Sequence, residues 1–336
     1  MHMKLVLVFV GALVGSTPLE AAARAGCQEV ALPVSLTPGG PAHQTVRGTL
    51  CYPDSAPPGS TPLDILTAGA TYTRAYWDCP LNNGFYSYVA RTLRAGRATF
   101  AYDRLGTGAS SHPLSAWLTL DSEAEVLHQI VAWARPRFTE INTIGHSLGS
   151  VISIQEAAVH DDVDRLVITG ELHAVGPGIA QLATSVYPAL LDPRFFLKSL
   201  DAGYLTTLPG VRGSLFYGVG GTRPEVMAWD EANKDVVPAG TLAGLALQLE
   251  QPPLLNVAQW IQAPVFVIAG AQDMQLCGLT LDCTSPEAVQ ANEALYYSSA
   301  ASVTAETVPL TGHDLALHDS APESFAKIDQ WIRSTP

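Results

Sequence analysis

The pentapeptide Gly145-His146-Ser147-Leu148-Gly149 sets one hydroxyl between two glycines. A short strand-like run, Asn142 to Gly145, leads into it, and a helix-like apolar run, Leu148 to His160, follows. In that setting the chain reverses from strand to helix within about four residues, which strains the central backbone and lifts its side chain above the sheet. Ser147 is therefore the candidate nucleophile. The Leu148 N–H, at the helix N-terminus, is the expected first donor to negative charge developing in front of the serine. A serine hydroxyl is a weak nucleophile and needs a base. Of nine histidines, His2 lies in an apolar leader, and His43, His112, His128 and His160 lie in loops or helices away from strand ends. His313 follows the strand-like run Val303 to Val308 through Pro309-Leu310-Thr311-Gly312. His318, five residues on, reads as a surface or helix residue. A base needs an acid to fix its tautomer and stabilise the imidazolium. Two carboxylates stand just past strand-like runs: Asp273 after Val265 to Ala269, and Glu171 after Leu166 to Thr169.

The elements that must position these groups alternate. Two runs, Val30 to Leu36 and Val46 to Tyr52, flank a Gly/Pro turn and predict an antiparallel hairpin. Then come a strand at Leu63 to Ala68, a helix at Tyr86 to Ala95 and a strand at Arg97 to Tyr102. A helix over Ser122 to Arg135 carries Val126, Leu127, Ile130, Val131 and Ala134 on one face. Glu323 to Arg333 reads as the closing helix. Strands alternating with helices imply parallel pairing through crossovers, because a hairpin cannot join parallel strands. The alternation breaks over about 174–257, which lacks a strand series and is rich in Pro, Gly, Leu and aromatic residues. That segment predicts a mainly helical cap inserted over the carboxyl edge of the sheet.

With these features in order, residues 30–336 resemble the α/β-hydrolase superfamily. The resemblance implies an α/β fold: a mostly parallel central sheet flanked by helices. Thr67-Ala68-Gly69-Ala70-Thr71 stands where relatives carry His-Gly and the second oxyanion donor, which maps to Ala70, with Thr71 in reserve; Ala68 replaces the family's His. Asp103-Arg104-Leu105-Gly106-Thr107-Gly108-Ala109-Ser110 resembles a turn that is structural in the family, so Asp103 is not the acid. The family order Ser, acid, His selects His313 as base and Asp273 as acid. Some relatives, including zearalenone-type lactonases, use a Glu after the earlier strand, and Glu171 is the competing acid. His146 corresponds to a position that points into the fold. The implied chemistry is acyl transfer to water through an acyl-enzyme on Ser147. A serine here points away from haloalkane dehalogenases and epoxide hydrolases, which carry Asp.

Composition bounds the setting. Hydrophobic residues make up 47% and charged residues 15% of 336, enough to fill a large core. The net charge of −13, with no basic run, argues against nucleic acid or anionic lipid as partner. Met1-His2-Met3-Lys4, the apolar Leu5 to Gly15 and Ala23-Arg24-Ala25 form the expected signal peptide, residues 1–25, and the apolar run is too short to span a bilayer. Five cysteines fit export. Antiparallel pairing of the first two runs would join Cys27 to Cys51, and Cys277 and Cys283 share a loop, which leaves Cys79 free. No Cys-x-x-Cys occurs, and neither a metal nor a cofactor is expected. The expectation is a secreted enzyme acting on a hydrophobic small-molecule ester or lactone, with Tyr76, Trp77 and the cap aromatics near the pocket. Two other readings compete. One is an exported peptidase of the prolyl-aminopeptidase kind, binding a substrate amine through Glu225, Asp230 or Glu231. The other is a non-catalytic binding protein of the same fold.

Overall fold

The strand runs pair as the alternation requires. The computed structural model describes residues 26–54 and 59–336, so the signal peptide expected over 1–25 lies outside the described residues. In chain order the strands are β1 (Cys27–Val34), β2 (Gln44–Cys51), β3 (Leu63–Thr67), β4 (Ala98–Asp103), β5 (Ile141–His146), β6 (Arg165–Thr169), β7 (Val186–Pro188), β8 (Tyr204–Thr207), β9 (Val237–Pro238), β10 (Val265–Gly270) and β11 (Val303–Val308). The helices are α1 (Tyr88–Arg94), α2 (Leu120–Ala134), α3 (Leu148–His160), α4 (Gly178–Thr184), α5 (Arg212–Phe216), α6 (Pro224–Asn233), α7 (Ala239–Leu249), α8 (Pro286–Glu293) and α9 (Ala321–Ser334).

Among the described residues one sheet has eight strands in the order β1-β2-β4-β3-β5-β6-β10-β11. β2 runs antiparallel to both neighbours, and the pairs from β4 to β11 are parallel. β3, β4, β5, β6 and β10 are buried along their whole length, as a sheet covered on both faces demands. α2 buries Val126, Leu127, Ile130, Val131 and Ala134, and its start is fixed by a reciprocal cap between Thr119 and Ser122.

Between β6 and β10 the described chain forms α4 to α7 together with a short antiparallel sheet of β7, β8 and β9. This small sheet departs from the strand-free segment read from sequence. Its strands are two to four residues long, too short for an alternating pattern to register.

Both cysteine pairs form. Cys27 and Cys51 sit directly opposite each other in the β1–β2 register and are bridged, and Cys277 is bridged to Cys283. Cys79 is a free, buried thiol, and that burial pushes its pKa up to about 11. Two bridges fit an oxidising compartment. No helix among the described residues is long and apolar enough to cross a membrane.

A buried ionic knot ties the sheet to its last helix. Asp64 on β3 accepts from Arg97 Nε at 3.2 Å, from Asn142 Nδ2 at 2.8 Å and from the Tyr88 hydroxyl at 3.0 Å. Arg97 Nη1 reaches Asp329 on α9 at 2.7 Å. Removing one partner of such a pair leaves a buried charge uncompensated. Asp64→Ala is expected to cost about 3–5 kcal/mol in a urea unfolding series. Glu306→Ala, which breaks the partly exposed pair with Lys327, should cost about 1 kcal/mol or less.

Candidate active site

Ser147 sits at φ 52°, ψ −121°, a region that non-glycine residues rarely enter, between the end of β5 and the start of α3. The reversal is held from β6. The Ser147 N–H donates to the Thr169 carbonyl at 2.8 Å, and the Ser150 hydroxyl donates to the same oxygen at 2.9 Å. The Thr169 hydroxyl returns a bond to the Gly145 carbonyl at 2.9 Å. The flanking glycines are required by contact. A Cβ on Gly145 would lie 2.4 Å from Ser150 Cα, and one on Gly149 only 2.1 Å from the Thr67 carbonyl oxygen.

His313 and Asp273 come together at the ends of β11 and β10. Nδ1 of His313 lies 2.8 Å from Asp273 Oδ2, so the ring's other nitrogen is free of that pair. His313 lines the same cavity as Ser147. Burial opposes charge on the imidazole, but the Asp273 charge and hydrogen bond and the Asp314 charge outweigh it and raise its pKa above the ordinary value. Asp273 is itself buried, and its other oxygen accepts from the Gln275 N–H at 2.9 Å. The loop continues into the Cys277–Cys283 bridge, with Cys277 N–H on the Asp273 carbonyl.

Glu171 is placed differently. Burial, with the charges of Glu293 and Asp273, pushes its carboxyl well above the carboxylate range. The carboxylate on His313 Nδ1 is that of Asp273.

Ala70 lines the cavity beside Ser147, and the adjoining Gly69 is close enough that its Cβ would meet Ser147 Cβ at 3.1 Å. Leu148 opens α3, so its N–H belongs to the unpaired first turn. The loop carrying Ala70 is gripped from behind. Arg104, buried and paired with Glu123 at 2.9 Å, donates to the carbonyls of Ala68 and Gly69 at 3.1 and 3.2 Å. The next residue, Thr71, has a left-handed φ of 62°, and its hydroxyl accepts from Arg212 at 2.8 Å. Asp103 accepts from the Arg74 and Ala109 N–H groups, each at 2.9 Å, a turn-forming arrangement.

Several positions depart from expectation. His318 is fully buried rather than exposed. Its Nδ1 donates to the Asp314 carbonyl, and its Nε2 accepts the N–H groups of Gly312 and Gly218. It thereby holds both sides of the loop that carries His313. Tyr76 and Trp77 do not line the cavity: Tyr76 stacks on His146 at 4.3 Å and Trp77 packs on Tyr88. Strand-end placement gave them a pocket role, but the inward turn after β3 takes both into the core. His146 is buried as expected, 3.2 Å from the Thr169 hydroxyl and 3.3 Å from Asp314. Burial and the His313 charge hold it well below the usual imidazole range.

Sequence reasoning missed the buried pair of Arg212 on α5 and Asp230 on α6, 2.7 Å apart, and the bond from the Tyr72 hydroxyl to Asp314. It also passed over His173, which pairs with Glu293 at 2.8 Å. A lone arginine in an irregular segment carries no periodic signal; only the cap's burial of it does.

The cavity is about 300 Å³. Small and aliphatic residues of α4 and α7 form its wall, among them Leu182, Ala183, Leu242 and Ala246, with Phe216 and Tyr72 beside His313. No carboxylate of the cap lines it. Asp230 is committed to Arg212 and Tyr217, and Glu231 to Lys234.

The sequence model of the alpha/beta hydrolase family matches residues 65–328, and the chain belongs to that family. Its fold is similar to that of a bromoperoxidase from Bacillus anthracis (TM-score 0.61, 15% identity, 91% of this chain and 100% of that one). A thermostable carboxyl esterase from Bacillus coagulans is similar at TM-score 0.61 and 18% identity, over 92% of this chain and 99% of that one. A proline iminopeptidase from Mycobacterium smegmatis is similar at TM-score 0.56 and 15% identity, over 91% and 98%. No protein of curated function matches the chain.

Gly149→Ala is expected to abolish folding or leave an enzyme at least a hundredfold slower, because the new methyl meets a strand carbonyl that cannot rotate away. Ser150→Ala, which removes both bonds between this hydroxyl and the Thr169 backbone, one donated to its carbonyl and one accepted from its N–H, should cost about 1–3 kcal/mol and fold normally. Circular dichroism and a urea midpoint for each variant check both.

Proposed function

We propose that the protein is a secreted serine hydrolase that cleaves carboxylic esters or lactones of a hydrophobic small molecule. The observation that carries this reading is a single apolar cavity onto which a strained Ser147 and an Asp273-paired His313 both open. Ser147 attacks the acyl carbonyl while His313 takes its proton. The N–H groups of Leu148 and Ala70 receive the oxyanion. His313 then protonates the leaving alcohol, and water releases the acyl group with His313 again as base. Asp273 holds the imidazole through Nδ1 and stabilises its charged form. Export is supported by the two disulfides and by the leader read from sequence.

The cavity favours an ester over a peptide substrate. An aminopeptidase must bind an ammonium group, and Asp230 and Glu231 already have basic partners. A non-catalytic role would leave the strain at Ser147 and the aligned His313–Asp273 pair without a use.

Fluorophosphonate labelling of the wild type tests the reading. Labelling confined to Ser147 and absent in Ser147→Ala is expected; an unlabelled wild type would overturn it. On p-nitrophenyl esters, kcat/KM should rise about fourfold per added methylene until the cavity is full, from about 0.8 kcal/mol per buried CH₂. Aminoacyl-nitroanilides should not turn over.

The base must be neutral to accept a proton, and its pKa is raised. The acid limb of kcat/KM is therefore expected above pH 6.5, with activity lost as pH falls through it. Asp273→Asn should lower kcat by about 10⁴, as loss of a triad acid does, while Glu171→Gln keeps kcat within a few-fold. The reverse ranking would reassign the acid.

A further inference from the structure

A second cluster of ligating side chains lies between α2 and α3, built from residues with no part in the acyl chemistry. We propose that His128, Glu156 and Asp162 form a structural site for a divalent transition-metal ion, Zn²⁺ in chemical class, that ties α2 to the end of α3.

One ligand atom from each residue lies within 4.8 Å of the other two. His128 Nδ1 is already 2.7 Å from Asp162 Oδ2. Glu156 is the informative member. It is wholly buried in the middle of α3, and among the described residues no donor from outside the cluster bonds to either of its carboxylate oxygens; its side-chain contact is with Asp162. Asp162 Oδ1 is likewise without a partner. A buried carboxylate lacking any donor costs several kcal/mol, so native proteins protonate it, pair it or coordinate it.

Among the described residues no side-chain cation pairs with Glu156. Arg135 is the positive group that acts on Glu156, and its guanidinium is engaged with Asp164 at 2.7 Å and with the Asp162 carbonyl.

The approach is open on one side, because the His128 and Asp162 side chains are 32% and 26% exposed. Asp161, left-handed at φ 49°, ψ 44°, turns the chain at the end of α3 so that Asp162 faces back toward His128 and Glu156. His160 stacks on the His128 ring at 3.7 Å and restrains its plane. One imidazole nitrogen and two carboxylates suit Zn²⁺ with water as a fourth ligand, better than the all-oxygen preference of Ca²⁺. Bonds of about 2.0–2.2 Å put tetrahedral ligands roughly 3.3 Å apart, so the widest pair must close by about 1.5 Å.

The test uses the full-length protein stripped with chelator and dialysed at pH 7.5, titrated with ZnCl₂ by calorimetry and followed by thermal unfolding. One equivalent of Zn²⁺ is expected, with a midpoint about 4 °C higher at a hundredfold excess over Kd. CaCl₂ should bind at least tenfold more weakly. Glu156→Gln keeps the buried volume, and Asp162→Asn alters a partly exposed loop side chain. Each should raise Kd for Zn²⁺ at least tenfold while the metal-free protein keeps its fluorophosphonate labelling rate at Ser147. Less than half an equivalent bound by the wild type at 100 µM ZnCl₂, tighter binding of Ca²⁺, or wild-type Zn²⁺ affinity in either variant would overturn the proposal. The site stands independently of the reading of Ser147.

Discussion

The structure turns on one reversal of the backbone. Five residues take the chain from a fully buried strand into a helix, and no ordinary conformation does so at that length. The strain falls on Ser147, while Gly145 and Gly149 supply the space. Their positions are set by backbone atoms, Ser150 Cα and the Thr67 carbonyl, which cannot rotate aside as a side chain would. A reversal this tight brings α3 close against the end of β3. That proximity sets the loop of Gly69 and Ala70 beside the serine. It also turns His146 inward, where Tyr76, Thr169 and Asp314 enclose it. Strain of this kind costs about 1–3 kcal/mol and persists only where neighbours over-determine it. Here Thr169 does so, accepting from the Ser147 N–H and the Ser150 hydroxyl and donating to Gly145.

Around this reversal, charge is buried in matched pairs rather than excluded. Arg104 with Glu123 fixes two carbonyls of the loop before Ala70 and so orients the N–H groups that follow. A hydrophobic replacement of such a pair is often no less stable. Its use here is orientation: a guanidinium with several fixed donors can hold two carbonyls and a carboxylate at once, which no apolar side chain can. His318 applies the same logic to the loop of His313, accepting two backbone N–H groups and donating to a third backbone atom.

The parts legible in sequence were those with a local signature. Alternating strands and helices, the glycine-bracketed serine and the loop histidine each follow from a short run of residues. The two disulfides followed from register and from a shared loop. Parts with a purely tertiary origin were hidden. Asp273 and Glu171 both end buried strands, and what separates them is that β10 lies next to β11 in the sheet, so the loop of Asp273 meets that of His313. Tyr76 and Trp77 sit near the site in sequence but face the core, because the chain after β3 winds into a short helical turn. His318 read as a surface residue because nothing in its neighbours reveals that two glycine N–H groups converge on it. The strands β7 to β9 were too short to show a period.

The segment between β6 and β10 and the loops around Ser147 are not separate modules. Arg212, on the first cap helix past β8, pairs with Asp230 on the next cap helix, stacks on Tyr72 and Phe216, and donates to Thr71. Thr71 and Tyr72 belong to the sheet domain, directly after Ala70. Tyr72 in turn donates to Asp314, the residue beside His313. A single buried guanidinium therefore joins helices α5 and α6, the loop of Ala70 and, through Tyr72, the loop of His313. Phe216 and Tyr72 also line the cavity, so its shape is set by the same contacts. Substitutions on α4 and α7 can reshape the apolar wall without touching this link. Substitutions that move α5 or α6 act on the wall and on the loops of Ala70 and His313 together. The inserted segment is therefore free to vary along α4 and α7, while α5 and α6 are constrained by the buried contacts they make with those loops.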